Sequence, residues 1–161
     1  MLTIGDLDLK AVNDLLLNQG LRLTITPPAT DIPGSYWGNP EAGLIQNRIF
    51  ARTDTPVHSL LHEACHYICM PPERQATLHT DAGGSYTEED AVCYLQILLA
   101  DQIPGYSSQQ CLQDMDQWGY TFRLGSARSW FEEDADEALH WLIEKQLIQM
   151  PPPAIRMPEK P

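Results

Sequence analysis

Apolar residues recur at helical spacing over residues 6–18, where Leu7, Val12, Leu15 and Leu16 fall near one face and Gly20 supplies a stop. A first helix is predicted there. Residues 21–26 alternate apolar and polar positions and run into Pro27-Pro28, the pattern of a strand. A Pro- and Gly-rich loop follows, and residues 43–52 read as a second strand. Asp54 or Thr55 then offers a cap, and Pro56 suits a first helical position, where its missing N–H would be unpaired anyway. The helix so opened is predicted over residues 57–70, ending at Pro71-Pro72.

A polar loop through Gly83-Gly84 leads to Thr87, read as the cap of a helix to about Asp101, with Glu88, Glu89 and Asp90 in its first turn where the dipole favours acids. Ser107 with Gln110 forms a capping box for a short helix ending near Gly119. Residues 120–124 read as a short strand, and Ser129 with Glu132 opens a last helix to about residue 149. Residues 150–161 are a Pro-rich tail expected to be extended or disordered. The pattern implies an α+β fold in one domain over residues 1–149, a small sheet packed on a helical majority.

Composition narrows the function classes. The chain has 161 residues, 43% of them hydrophobic, enough for a core without staples. Its 22 acidic residues against 10 basic ones give a net charge of −12, which repels nucleic acid and anionic membranes and suits a basic partner. The N-terminus lacks the basic start and apolar centre of a signal peptide, and no apolar run reaches bilayer length, so a cytoplasmic location is expected. Cys65, Cys69, Cys93 and Cys111 form no CxxC pair and read as buried thiols.

Within the predicted helix over residues 57–70 lies His62-Glu63-Ala64-Cys65-His66. Residues i and i+4 of a helix project about 40° apart, so His62 and His66 can share a metal ion. Zinc suits neutral imidazoles, and a glutamate next to the first ligand can act as general base on zinc-bound water. Glu63 takes that role. A third ligand is required: Glu88 is the first choice, because Ala91, Val92, Leu95 and Leu99 follow it at helical spacing and turn its face inward. Glu89, which shares a face with Cys93 and Gln96, and His79 are the alternatives. Tyr86, His79, Tyr67 and His140 are open choices for an oxyanion donor, with Tyr86 placed best on its glycine-flanked loop.

HEACH with a helical glutamate 22 residues beyond His66 resembles the gluzincins, zincins with two histidines and a glutamate on zinc. The run from Glu88 to Leu99 is also similar to the E-x-x-A-x-x-F-A-x-x-L-L pattern of the ImmA/IrrE-like metallopeptidases, matching at Glu88, Ala91, Tyr94, Leu98 and Leu99. It departs at Leu95, where that family has a small residue, and Cys65 stands where the family has a glycine. The resemblance covers about residues 43–100. It implies a minimal zincin-like fold, His62, His66 and Glu88 as ligands, and Glu63 as base. In zincins the strand before the HExxH helix borders the cleft, so residues 43–52 are expected to pair with an extended peptide, with Arg48 and Arg52 available to guide an acidic one. The expected function is a zinc-dependent hydrolase acting on peptides or proteins. The alternative is a zincin-fold regulatory or interaction module without turnover, for which a fourth protein ligand would speak. A short chain with few loops further implies a shallow, open cleft or help from a protein partner.

Overall fold

A computed structural model describes residues 1–149; the predicted Pro-rich tail lies outside the described residues. After a 3-10 turn at Ile4–Asp6 come helix α1 (Leu9–Asn18), strand β1 (Arg22–Ile25), strands β2 (Gly43–Ile45) and β3 (Arg48–Ala51), and helix α2 (Val57–Cys69). Helices α3 (Pro72–Thr77), α4 (Tyr86–Ala100), α5 (Ser108–Trp118), α6 (Ala127–Glu133) and α7 (Asp136–Glu144) complete the order. This is an α+β fold with a helical majority. No helix among the described residues is long and apolar enough to cross a membrane.

The second strand expected over residues 43–52 is instead a hairpin. Ile45 pairs with Arg48 across Gln46 and Asn47, and Gln46 adopts a positive φ of 52°. β3 therefore lies in the middle of a three-stranded sheet of order β1-β3-β2, parallel to β1 and antiparallel to β2. Its backbone is paired on both sides, so it cannot accept an added peptide strand. The outer edge of β2 is itself bridged by Ser35 and His79. Arg52 does not face a substrate either: it is paired through Nε and Nη2 with Asp54 at 2.9 and 2.8 Å and donates to the Thr30 carbonyl.

Several helix boundaries also differ from expectation. Thr55 does not cap α2; its Oγ1 accepts the Arg52 N–H at 2.9 Å, which tightens the turn from β3, and Pro56 occupies the N-cap position. α4 is capped by Ser85, whose Oγ accepts the Glu88 N–H, and not by Thr87. The loop after α2 contains the short helix α3, with Pro72 in its first turn. Ser107 and Gly119 bound α5 as expected. The last helix is two: Ser126 caps α6, the chain breaks at Asp134 and Ala135, and Asp136 and Glu137 lie in the first turn of α7. Residues 120–124 form no strand; Phe122 stacks on Trp130 at 4.8 Å between ring centres.

α4 is the centre of the molecule. Every residue from Ala91 to Ala100 is buried, and the helix packs against α2, α5 and α7. A helix apolar all round belongs inside, surrounded by other elements. Its pairing with α2 sets its N-terminal turns beside HEACH.

Candidate metal centre

α2 buries Leu60, Leu61, Ala64, Cys65 and Cys69 against the core, which leaves the His62, Glu63 and His66 positions along its border with a cleft. His62 Nε2 and His66 Nε2 lie 3.1 Å apart. The Glu89 carboxylate meets both, Oε1 at 3.0 Å from His62 Nε2 and Oε2 at 3.1 Å from His66 Nε2. These three side chains are a cluster able to hold a metal ion.

Gln96, two turns along α4 from Glu89, sets the orientation of His62. The Gln96 Nε2 amide donates to the His58 carbonyl at 3.1 Å, so its Oε1 faces His62 Nδ1, 2.7 Å away. An amide oxygen only accepts, so the proton of the neutral ring sits on Nδ1 and the Nε2 lone pair points to Glu89. Gln96 is fully buried. His66 Nδ1 is buried with no partner among the described residues. The Cys93 thiol, one turn along α4 from Glu89, is buried and lines the same cleft.

Charge in the cluster follows from these contacts. Burial works against ionised Glu89, yet protons on His62 Nε2 and His66 Nε2, which a metal ion would displace, hold its carboxyl well below the usual carboxylate range. For His62, burial opposes the charged ring and is outweighed by its polar neighbours, the Glu89 carboxylate among them, so the ring binds a proton more tightly than usual. Burial raises Glu63, partly offset by the two histidines. A glutamate whose basicity is raised accepts a proton more readily than an ordinary carboxylate.

The structure separates the two adjacent glutamates. Glu88 does not join the histidines. It is buried, and its carboxylate takes both Arg74 Nη groups, at 2.7 and 2.9 Å. Arg74 Nη2 also donates to the Ala82 carbonyl at 2.7 Å, so the pair ties the loop of residues 79–84 to α3 and α4. Gly84, at φ +99°, lies against the Glu88 carboxylate where no Cβ would fit. His79 is exposed, hydrogen-bonded to Thr80, and outside the cluster.

The cleft has a volume of about 980 Å³. Tyr86 lines it and is 94% exposed. Tyr120 packs on the histidines: its ring is edge-on to His62 at 5.6 Å between centres, and its hydroxyl lies 3.2 Å from His58 Nδ1. His58 is buried, and burial with the neighbouring His62 takes its pKa down to about 3, so the ring is neutral. Tyr67 is half-buried against the core and His140 is exposed on α7. Sequence reasoning missed Tyr120, whose segment read as a short strand and is irregular. It also missed the orienting role of Gln96, although a lone amide among Val92, Leu95, Ile97 and Leu98 was a usable signal, since a buried amide needs partners.

Comparisons with models of protein families, with curated proteins and with solved structures gave no match.

Proposed function

We propose that this protein is a zinc-dependent hydrolase, most simply a peptidase, with His62, His66 and Glu89 as the ligands. The observation that carries the reading is the convergence of two imidazole nitrogens and a carboxylate within 4.8 Å, one ring held in the ligating tautomer by a buried glutamine. Two nitrogens and one oxygen from protein make the donor set of a catalytic zinc site with a position left for water. Zinc in such a set lowers the pKa of water and polarises a carbonyl oxygen.

The chain's own residues supply the rest. Glu63, in the cleft beside His62, takes a proton from the attacking water and returns it to the leaving amine. Tyr120 donates to the oxygen on which negative charge develops. When His58 Nδ1–H donates to the Tyr120 oxygen, the phenol hydrogen is left to point into the cleft. Burial raises the Tyr120 pKa, which keeps it a phenol.

A metal-binding module without turnover is the second reading, and the observation in its favour is Cys93, a thiol that lines the same cleft one turn of α4 from Glu89 and could close the site as a fourth ligand. Metal content by mass spectrometry, followed by hydrolysis of a mixed peptide library, separates the readings. About one zinc per chain, lost in His66→Ala and in Glu89→Gln, with hydrolysis lost in Glu63→Gln, is the expected result. Zinc without hydrolysis, with the ion lost in Cys93→Ser, would favour the module; no zinc in the wild type would refute both.

A further inference from the structure

Among the described residues the cleft is lined by five carboxylates, Glu41, Glu63, Asp81, Glu89 and Asp90, and by no lysine or arginine. Two of them already have work in the proposed reaction. Glu41 does not. It is half-buried, and its Oε1 accepts the Trp118 indole N–H at 3.1 Å. That donor is neutral, burial and the nearby Glu63 raise the cost of holding the charge, and His62 offsets only part of it. A carboxylate kept so inside a cleft is matched to a cation from outside.

The rim points to the same occupant. Tyr36, Trp37, Tyr86 and Trp118 are the exposed aromatic side chains among the described residues, and all four line this cleft. Trp37 is 77% exposed and packs edge-on to Tyr36 at 5.0 Å. Large aromatic faces left in water cost free energy unless something covers them, and their π-systems attract cations. Trp118 joins both features, since it bonds Glu41 through its N–H and packs against His58 through its ring, at 5.1 Å.

We propose that this end of the cleft is a specificity subsite for a lysine or arginine side chain of a polypeptide, with Glu41 as anchor, Trp118 as wall and Trp37 at the rim. Naming the occupant as part of a substrate rests on the hydrolase reading; the cation preference itself does not. Glu41 is fixed by Trp118 before the ligand arrives, so little ordering is lost on binding. The anchor is a positioning group, outside the proposed proton transfers.

The test is equilibrium binding, which needs no turnover. Fluorescein-labelled, N-acetylated peptide pools with degenerate positions restricted to Lys and Arg, to Asp and Glu, or to Ser and Gln are titrated into zinc-treated Glu63→Gln protein. Fluorescence anisotropy reads the affinity. The expected result is at least about tenfold tighter binding of the basic pool, the size one charge-assisted contact supports. Adding Glu41→Gln should remove most of that preference, and adding Trp37→Ala, at an exposed position that leaves the fold alone, should weaken it severalfold. Adding Glu144→Gln, the same charge change on an exposed residue outside the cleft, should leave it intact. Equal binding of the three pools overturns the proposal. So does equal loss in the Glu41→Gln and Glu144→Gln proteins, which would assign the preference to the net charge of the whole chain. A free α-amine is the competing cation: if only non-acetylated pools bind, and bind alike, the side-chain subsite is wrong. Zinc content and hydrolysis are read separately, so failure of the hydrolase reading is not confused with failure of this one.

Discussion

At the scale of single residues, two neighbouring glutamates have unlike environments, and the difference is testable. Glu89 faces His62 and His66, while Glu88 is held by Arg74. Glu89→Gln should abolish zinc binding, whereas Glu88→Gln should keep the metal and lose stability, about 2 kcal/mol for an ion pair with one partly exposed partner. Metal content and urea denaturation report the two effects independently. Gln96→Leu should weaken zinc binding by about 10- to 100-fold, as expected when the partner that fixes a ligand's tautomer is removed. Competition with a chromogenic chelator measures it. The choice between the glutamates could not be made from the sequence because α4 is buried on every side from Ala91 onward. With no polar face, apolar spacing cannot say which of two adjacent carboxylates points inward to metal.

At the scale of elements, the local signals that held were those whose chemistry is local. Ser107 caps α5 and Gly119 ends it. Signals that failed lost to a competing partner. Thr55 was diverted to the Arg52 N–H three residues back, and Asp134 is bound by Arg123 where the last helix breaks. The hairpin at Gln46 and Asn47 was hidden because Leu44, Ile45, Ile49 and Phe50 read as one apolar-rich strand. The loop of residues 79–84, pinned by Glu88 and Arg74, forms one wall of the cleft. Gly84→Ala forces a side chain into the Glu88 carboxylate at a positive φ, and should loosen that wall. Hydrogen exchange should then rise in residues 79–85 while α2 and the core of α4 stay protected.

At the scale of the whole molecule, stability couples to metal and to pH. Saturation at about 100 times Kd adds roughly 2.7 kcal/mol, so zinc should raise the Tm of the wild type by about 5–10 °C, and chelation should reverse it. The Glu89→Gln protein should show no such rise. His58 supplies a pH dependence of known sign. Its folded pKa is about 3, against 6.5 for the ordinary group, so between these values the unfolded chain binds more protons. The stability it contributes is complete above pH 6.5 and is lost as pH falls toward 3, by up to about 1.4 kcal/mol per pH unit. His62, raised in the folded state, acts in the opposite direction. Denaturation of metal-free wild type and His58→Phe at pH 7 and pH 5 isolates the His58 part: the variant should lose less stability on acidification.

The sequence by itself determined the α+β class, the helix that carries HEACH, and the projection of His62 and His66 from one side of it. Those follow from periodicity, capping and a fixed 3.6-residue turn, all of which act within a few residues. Tertiary structure alone decided that Glu89 meets the histidines, that Gln96 orients one of them, that Tyr120 arrives from an irregular segment, and that Glu41 and Trp118 meet across the cleft. Such pairings depend on how α2, α4 and the surrounding loops pack, and contacts between groups far apart in the chain leave no period to read.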